Sequence, residues 1–454
     1  MVWTPTIQDR SGALYERIVA ALAADIDAGR LARGQQLPTH RDLAKTLGVD
    51  LSTVTRAYGE ARSRGLIEAR VGQGTFVAES MAQARRGEAP WATFDLSMNL
   101  PPQPLDADLE GRIARGIAAI AKEEGLSQYL AYRDPRGLPN ERDAAALWLS
   151  PRLPLADGAR IVICPGTQSA LTLILSAVLA PGDVVLTEAL TYPGVKASAA
   201  HAGTRLVGIA TDGEGILPDA LEAACRKHKP KALYLVPTIQ NPTAVTMTPA
   251  RRKAVAGIVR GQGLWLIEDD AYGALEPEAV PMATLVPERT FFMASLSKCM
   301  APGLRTSFVL TPDAGKAGLL TDALRAVVQM GTPLMIALVA RWIRDGSAAA
   351  IVDAIRAEAL ARQKLAATVL SDLDFTGRGH HLWLRLPPSW TRPELVAHVQ
   401  RQGLAVVASD AFAVGGEPPN AIRVALGAAS SRHQLATALG VLAAALRTPP
   451  SRVI

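Results

Sequence analysis

The sequence predicts a two-domain protein, with a small, mainly helical domain at residues 1–78 and an α/β domain at residues 94–454. Three observations support this prediction. The 454 residues, 49% of them hydrophobic, suffice for more than one packed core. Residues 79–93 are small and polar and lack periodicity, which is typical of a linker. Beyond them, apolar runs alternate with longer helical patterns, as in a parallel sheet wrapped by helices.

The composition argues against several other classes of protein. The longest uncharged apolar stretch, residues 167–180, is shorter than the roughly 20 residues that a membrane-spanning helix needs. Charged residues between Asp9 and Arg17 argue against a secretory signal, so we expect a cytoplasmic protein without a membrane partner. The three cysteines form no C-x-x-C pair, and we therefore expect no bound metal.

The positive charge is concentrated near the start of the chain. The net charge is +6, and residues 30–77 hold eight basic and four acidic residues, a local balance of +4. A basic patch within a small domain is typical of nucleic-acid binding. The alternative is that these arginines form only a solvated helix face.

The first domain reads as three helices followed by a two-stranded wing. Gly29 is placed to end the first helix, whose apolar residues recur at four-residue steps: Leu14, Ile18, Leu22 and Ile26. Thr39 and Gly48 bound the second helix, and Asp50 and Gly65 bound the third. Residues 66–70 and 75–77 form two predicted strands around a glycine-rich turn. The order predicts a winged helix-turn-helix.

Residues 14–77 resemble the GntR family of bacterial regulators, in the helical stretch 14–49 and again in the wing sequence GLIEARVGQGTFV. The resemblance implies a double-stranded DNA operator as partner. It assigns the DNA contacts to Arg41, Ser52, Thr53, Arg56, Gly72, Gln73 and Gly74. Many relatives carry an arginine where this chain has Leu51, so a bidentate guanine contact from that position is not available.

In the second domain, Lys298 follows the apolar run 291–294 and lies between Ser295, Ser297 and the later Arg305. This arrangement suits one ligand that carries both an aldehyde and a phosphate. Pyridoxal phosphate is such a ligand, because lysine forms a Schiff base with its aldehyde while serine and arginine hold its phosphate.

Other predicted strands also end in groups that this cofactor needs. Asp269 and Tyr272 follow the strand 264–268, at the sheet edge where ligands of α/β proteins bind. Asn241, whose bond to Pro242 we predict to be cis, offers an amide to the ring's phenolic oxygen. The turn at residues 164–168 opens a helix and offers its N–H groups to a phosphate, and Tyr192 offers a ring for stacking.

In the order GTQ, TYP, NPT, EDDAY, SLSK and APGLR, these motifs resemble the fold type I aminotransferases from Phe94 to about Ala445. The resemblance makes Lys298 the catalytic Schiff-base lysine and Asp269 the partner of the pyridine nitrogen. It makes Asn241 and Tyr272 partners of the phenolic oxygen and Tyr192 the stacking ring. The phosphate ligands become Thr167, Gln168, Ser295, Ser297 and Arg305. Tyr132 matches a residue that reaches the phosphate of a partner subunit, which implies a homodimer.

One charged residue, Arg423, lies in the apolar strand 421–426. A buried arginine needs an anionic partner, and the aminotransferase resemblance makes Arg423 the ligand of an amino acid's carboxylate. The pair His380-His381, which precedes a strand-like alternation of residues, is open to two interpretations, an effector contact or ordinary packing.

Both halves together resemble the MocR subfamily of transcriptional regulators. This resemblance implies a DNA-binding regulator that senses an amino acid or amine through aldimine exchange at Lys298. The alternative is an active aminotransferase that carries a DNA-binding domain. Lys298 could carry the proton in either case, so whether the protein is an enzyme stays open.

Overall fold

The described part of the chain comprises residues 3–5, 14–27, 30–32, 34–63, 66–70, 74–77 and 94–448 of a computed structural model. The chain divides into two units, residues 1–90 and 91–454. Gly29, Gly65, Gly72, Gln73 and the predicted linker lie outside the described residues. Within those ranges, no helix is both long enough and apolar enough to cross a membrane.

The first unit contains the three predicted helices and the two strands of the wing: α1 (Leu14–Asp27), α2 (His40–Leu47), α3 (Leu51–Ser63), β1 (Ile67–Arg70) and β2 (Gly74–Val77). Helix α2 has the predicted ends, because the Thr39 side chain accepts a hydrogen bond from the Asp42 N–H and Gly48 adopts a φ of +64°. The two strands are antiparallel.

The wing has a third element that the sequence did not predict. Residues 34–37 run beside β2, where the Leu37 N–H donates to the Thr75 carbonyl at 2.8 Å and the Val77 N–H donates to the Gln35 carbonyl at 2.9 Å. The core beneath is formed by apolar side chains of all three helices, including Ile18, Leu22, Leu43, Val54 and Tyr58. Leu51 is exposed at the start of α3.

The second unit begins with elements that build most of a large sheet: β3 (Phe94–Asp95), α4 (Leu109–Glu123), α5 (Pro139–Leu149), β4 (Ile161–Cys164), α6 (Thr167–Val178), β5 (Val184–Glu188), α7 (Pro193–His201), β6 (Arg205–Ile209), β7 (Thr211–Asp212), β8 (Gly215–Ile216), α8 (Pro218–His228), β9 (Ala232–Leu235), α9 (Pro249–Gln262), β10 (Trp265–Asp270), β11 (Thr290–Ser295) and β12 (Ser307–Leu310). Its later elements are mainly helical: α10 (Ala314–Val327), α11 (Pro333–Arg344), α12 (Ser347–Val369), β13 (Phe375–Arg378), β14 (His381–Arg385), α13 (Arg392–Arg401), β15 (Leu404–Ala405), β16 (Val407–Ala408), β17 (Ala421–Ala425) and α14 (Arg432–Arg447).

The central sheet has seven strands in the order β4-β12-β11-β10-β9-β5-β6. The sequence predicted parallel strands, and this is wrong for β12, which pairs antiparallel with both β11 and β4. The reason is the connection from β11 to β12, which contains only a 3-10 turn and no crossover helix. A parallel neighbour needs a long crossover, whereas a short return produces an antiparallel pair.

Helices cover both faces of this sheet because its strands alternate between two apolar cores. Ile267 and Phe291 pack with α6, α7 and α10, whereas their neighbours Leu266 and Phe292 pack on the opposite face. A second sheet, in the order β13-β14-β17-β16, packs with α13 and α14. The strand β3 pairs with β15, which brings the start of this unit beside its last third.

Candidate functional site

A cavity of about 160 Å³ lies where the carboxyl ends of the central strands meet. The predicted cofactor residues, with one exception, line it: Thr167, Gln168, Tyr192, Asn241, Asp269, Tyr272, Ser295, Ser297, Lys298 and Arg305. The exception is Tyr132, which does not line the cavity and is 81% exposed. The convergence follows from topology, since the other motifs follow or end parallel strands of one sheet, and Arg305 precedes the antiparallel β12, whose start lies at the same edge.

Lys298 is partly buried, and its Nζ donates a hydrogen bond to the backbone carbonyl of Asn99. Burial, together with the nearby positive charge of Arg423, lowers the pKa of Lys298 to about 8, against the attraction of Asp269. A substantial fraction of the amine is therefore neutral near pH 7 to 8. A neutral amine is the form that can attack an aldehyde.

Asp269 offers one free acceptor inside the cavity. Its Oδ2 accepts a hydrogen bond from the Tyr234 hydroxyl at 2.7 Å, whereas its buried Oδ1 has no hydrogen-bond partner among the described residues. Burial raises the pKa of Asp269 to about 6, and the Tyr234 hydrogen bond opposes that rise. The group is thus mainly a carboxylate at neutral pH. Sequence reasoning missed Tyr234, which looks like one more apolar residue of β9.

The first turn of α6 forms an anion site. Gly166 precedes this helix with a φ of +90°, and the Thr167 hydroxyl is buried without a hydrogen-bond partner among the described residues. The Arg305 guanidinium reaches the same turn and donates to the Pro165 carbonyl at 2.7 Å. Unsatisfied N–H groups, a free hydroxyl and a guanidinium are together suited to a phosphate.

The side chain of Gln168 has a different task from the one its motif suggested. Its Nε2 donates to the Gly194 carbonyl at 3.0 Å and to the Ser198 hydroxyl at 2.8 Å, and its Oε1 accepts from the Tyr192 hydroxyl at 3.0 Å. The side chain therefore orients Tyr192. Only the backbone N–H of Gln168 is left for a phosphate.

Gly166→Ala should lower the affinity for pyridoxal phosphate about tenfold, because a positive φ is strained for alanine by roughly 1 to 3 kcal/mol. A Cβ at this position would also lie 2.6 Å from the Arg305 guanidinium. Equilibrium binding of the cofactor measures the change. The matched control is Gly257→Ala on α9, where a Cβ meets no atom within 4 Å. Equal affinity in both variants would contradict an anion site at this turn.

Arg423 is buried on β17, and the partners that it bonds are neutral. Its Nη1 donates to Asn241 Oδ1 at 2.9 Å, and its Nη2 donates to the Ser97 carbonyl. Among the described residues, its Nε has no hydrogen-bond partner and its guanidinium forms no ion pair with an acidic side chain. The predicted anionic partner is therefore not supplied by those residues. Because Asn241 accepts through Oδ1, its amide nitrogen is the group left to donate to a ligand.

Asn99 and His381 lie near Tyr272, and neither was predicted as part of the cofactor site. Asn99 Nδ2 lies 2.8 Å from the Tyr272 hydroxyl and 3.0 Å from His381 Nδ1, and His381 Nε2 lies 3.0 Å from the Gln240 carbonyl. His380 Nε2 lies 2.6 Å from the Lys298 carbonyl. Both imidazoles are fully buried, and burial lowers their pKa values, to about 4 for His380 and about 3 for His381.

These groups fit pyridoxal phosphate. The free Asp269 Oδ1 can accept from a protonated pyridine nitrogen, and the amide of Asn241 with the hydroxyl of Tyr272 can serve a phenolic oxygen. The turn at Thr167 with Arg305 can hold a phosphate, and Lys298 can bind the aldehyde. In the part of the chain that the structure describes, no cluster of histidine, cysteine and acidic side chains could hold a metal ion.

The predicted DNA-binding residues within the described ranges lie wholly or partly at the surface of the first unit, whereas Gly72 and Gln73 lie outside those ranges. Arg41, Ser52 and Arg56 are exposed, whereas Thr53 is half-buried. The Arg56 guanidinium lies over the ring of Tyr15, 4.1 Å from its centroid, and an Nη atom donates to the Tyr15 hydroxyl at 3.4 Å. This stacking was not predicted. It orders a side chain that would otherwise be free to rotate.

The chain matches two known families. Residues 94–442 match the aminotransferase class I and II family, and residues 14–77 match the gntR family of bacterial regulatory proteins. A Bacillus subtilis protein, the HTH-type transcriptional regulator YdeF, is 30% identical over 97% of this chain and 96% of its own length. The 2-aminoadipate transaminase of Thermus thermophilus is 28% identical over 68% of this chain and 80% of its own.

Solved structures show the same fold for the second unit. The α-aminoadipate aminotransferase LysN from Thermus thermophilus, in complex with a phosphopyridoxyl-leucine, superposes with a TM-score of 0.71 at 24% identity over 81% of this chain and 98% of that one. The chain thus belongs to the aminotransferase class I and II family, whose cofactor is pyridoxal phosphate, and its N-terminal GntR domain completes an architecture that fits the MocR type of transcriptional regulator.

Proposed function

We propose that this transcriptional regulator senses an amino acid or amine that displaces Lys298 from the aldehyde of pyridoxal phosphate. One observation carries the proposal: the chain that holds a DNA-binding domain also holds a cavity lined by Lys298 and Asp269, and the buried Arg423, which does not line this cavity, is close enough for its charge to lower the pKa of Lys298. The alternative, an active aminotransferase with a DNA-binding appendage, uses the same residues. The two differ in what happens after the amine has bound.

The residues of the cavity would bind each polar group of the cofactor. Asp269 would bind the pyridine nitrogen, Asn241 and Tyr272 the phenolic oxygen, and Tyr192 would stack on the ring. The phosphate would be bound by the α6 turn and its neighbours: Thr167, the Gln168 N–H, Ser295, Ser297 and Arg305. Bound in this way, pyridoxal phosphate supplies an aldehyde for amines and a ring that withdraws electrons.

Lys298 would act first as the nucleophile and then as a proton carrier. Its lowered pKa of about 8 keeps part of the amine neutral, and the Asn99 carbonyl orients its Nζ. An effector that takes its place leaves Lys298 free inside the cavity, where it can accept or return a proton. In a regulator, Lys298 would only exchange a proton with the bound effector. In an enzyme, Lys298 would move that proton onward so that transamination is completed.

Arg423 would bind the effector's carboxylate. Its guanidinium is buried, and the Ser97 carbonyl and Asn241 Oδ1 are neutral acceptors that a carboxylate can replace with a stronger, charge-assisted bond. Such replacement would separate Arg423 from the segment that precedes Asn99. A carboxylate would therefore change the contacts of both Arg423 and the 97–99 segment.

The DNA contacts and the homodimer complete the proposal. Arg41, Ser52, Thr53 and Arg56 would contact the operator through α2 and α3, and Gly72, Gln73 and Gly74 would enter the minor groove. Tyr132, exposed on one subunit, would reach the phosphate site of the partner subunit. We place the linker at residues 79–93 and the protein in the cytoplasm.

The deciding experiment titrates amino acids and amines against the purified, cofactor-loaded protein. Visible absorbance shows whether the lysine-bound form is replaced, and operator binding measured in parallel shows whether the replacement is sensed. A regulator should change operator affinity while releasing at most one keto acid per site. When a second keto acid is supplied to accept the amino group and restore the aldehyde, continuous keto acid release without any change in operator affinity would favour the enzyme.

DNA binding should depend on salt concentration and should prefer two half-sites, because a homodimer carries two winged helices and each binds one half-site. A flexible linker of about 15 residues has a root-mean-square reach of roughly 20 to 25 Å, so several half-site spacings should be tolerated. Binding to arrays of varied spacing, at several salt concentrations, tests this. Equal affinity for a single and a double half-site would contradict DNA binding by a homodimer through both winged helices.

A further inference from the structure

We propose that Asn99 and His381 are positioning residues that direct the hydroxyl hydrogen of Tyr272 toward the phenolic oxygen of bound pyridoxal phosphate. The inference rests on the proposed cofactor site and goes beyond it, because neither residue lines the cavity. The three side chains come from distant parts of the sequence, yet their polar atoms form one buried chain of hydrogen bonds.

The backbone carbonyl of Gln240 lies at the end of this series of hydrogen bonds, and it determines which atom donates in each of them. A carbonyl oxygen can only accept a hydrogen bond, so His381 Nε2, 3.0 Å away, must carry a hydrogen. The imidazole is neutral at physiological pH, since burial lowers its pKa to about 3. A neutral imidazole with a hydrogen on Nε2 has a bare Nδ1, which can only accept.

This requirement determines the orientation of the Asn99 amide. The Asn99 atom that lies 3.0 Å from His381 Nδ1 must be a donor, and it is therefore the amide nitrogen rather than the oxygen. That nitrogen carries two hydrogens and also lies 2.8 Å from the Tyr272 hydroxyl oxygen. One hydrogen serves each partner.

Tyr272 thus accepts a hydrogen bond from Asn99, and its own hydrogen stays available. The ring lines the cofactor cavity, and no other hydrogen bond of its hydroxyl is formed within the described residues. A flipped Asn99 would present its oxygen instead, and Tyr272 would donate to Asn99 rather than to a ligand. His381 prevents this flip. The charged groups that face the Tyr272 hydroxyl are Arg423 and Asp269.

The test is a pH titration of the visible absorbance of the protein loaded with pyridoxal phosphate. A donor to the phenolic oxygen stabilises the more basic form of the bound cofactor, which has the greater negative charge there. Tyr272→Phe, which removes the donor, should therefore move the titration midpoint upward by about one pH unit, the size expected when a hydrogen bond to a charged oxygen is lost. Asn99→Ala keeps the hydroxyl but removes the hydrogen bond that orients it, so it should move the midpoint upward by a smaller amount. The matched control is Asn420→Ala, which removes a hydrogen bond to the Trp390 carbonyl and should leave the midpoint unchanged.

A double variant separates positioning from a general loss of stability. Tyr272→Phe removes the hydroxyl, so Asn99→Ala added to it should cause no further shift. His381→Phe, which is similar in size and leaves Asn99 free to flip, should also move the midpoint upward and provides a second variant if Asn99→Ala fails to fold. Unshifted midpoints in both single variants, or additive shifts in the double variant, would overturn the inference. A wild-type protein without the lysine-bound band would instead overturn the proposed function, and the inference with it.

Discussion

Lys298→Ala is expected to abolish the visible band of the lysine-bound cofactor and the operator response to every amino compound. Lys298 is the lysine that lines the cavity, and its lowered pKa of about 8 suits it to bind the aldehyde. Allosteric coupling of about 1 to 3 kcal/mol corresponds to a change in operator affinity of roughly 5- to 150-fold. In Lys298→Ala, an amino compound should no longer cause this change. Absorbance and operator titration measure the two losses.

The control for this prediction is Lys316→Ala, which removes a lysine of α10 whose Nζ lies 5.0 Å from the ring centroid of Trp265 on β10. This variant should keep both the band and the response. Lys298→Ala should keep basal DNA binding, because the substitution leaves the first unit intact. A Lys298→Ala protein that showed the band, and that kept the cofactor covalently attached through dialysis after borohydride reduction, would show that another amine holds the cofactor.

Arg423→Ala should weaken the response to amino acids while the response to amines without a carboxylate is retained. A hydrogen bond between charged groups contributes about 1.5 to 3 kcal/mol, so the effector concentration for half-maximal response should rise roughly 10- to 150-fold. The internal lysine-bound band and basal DNA binding should be largely unchanged. Dose–response curves for an amino acid and its decarboxylated amine provide the measurement.

Arg385→Ala serves as the matched control, because Arg385 lies on the adjacent strand β14, is exposed and pairs with Asp374 at 3.0 Å. This variant should respond like the wild type. Arg423→Lys keeps the charge without the planar fork and should give an intermediate response. An Arg423→Ala protein with unchanged amino acid affinity would show that the carboxylate is not read by this residue, and a simple amine would become the better effector candidate.

Most of the cavity could be predicted because its residues belong to local motifs. Asp269, Asn241 and Lys298 each follow an apolar run, and the carboxyl ends of parallel strands meet at one edge of a sheet. The cis bond between Asn241 and Pro242 was predicted from the same local reasoning and is confirmed. The two caps of α2 are equally local, since Thr39 and Gly48 act within one helical turn.

The features that the sequence did not predict depend on contacts across long separations. Asn99 lies 173 positions from Tyr272 and 282 positions from His381, and no spacing rule relates such residues. The same holds for the stacking of Arg56 on Tyr15, 41 positions away, and for the antiparallel direction of β12. Gln168 stays a predicted phosphate ligand through its backbone N–H, whereas the bond of its side chain to Tyr192, 24 positions away, was not predicted.

The sequence by itself therefore determined which chemical groups reach the cavity, because strand ends and turns are set by neighbouring residues. Only the tertiary structure decided how these groups are oriented, which hydrogen each one presents and which buried atoms stay free. Among the described residues, Tyr234 bonds one oxygen of Asp269 and the other has no partner, and by our inference the Tyr272 hydrogen stays available because Asn99 donates to its oxygen. The physical reason is that a buried polar atom takes its hydrogen-bond partner from whatever the packed chain places beside it.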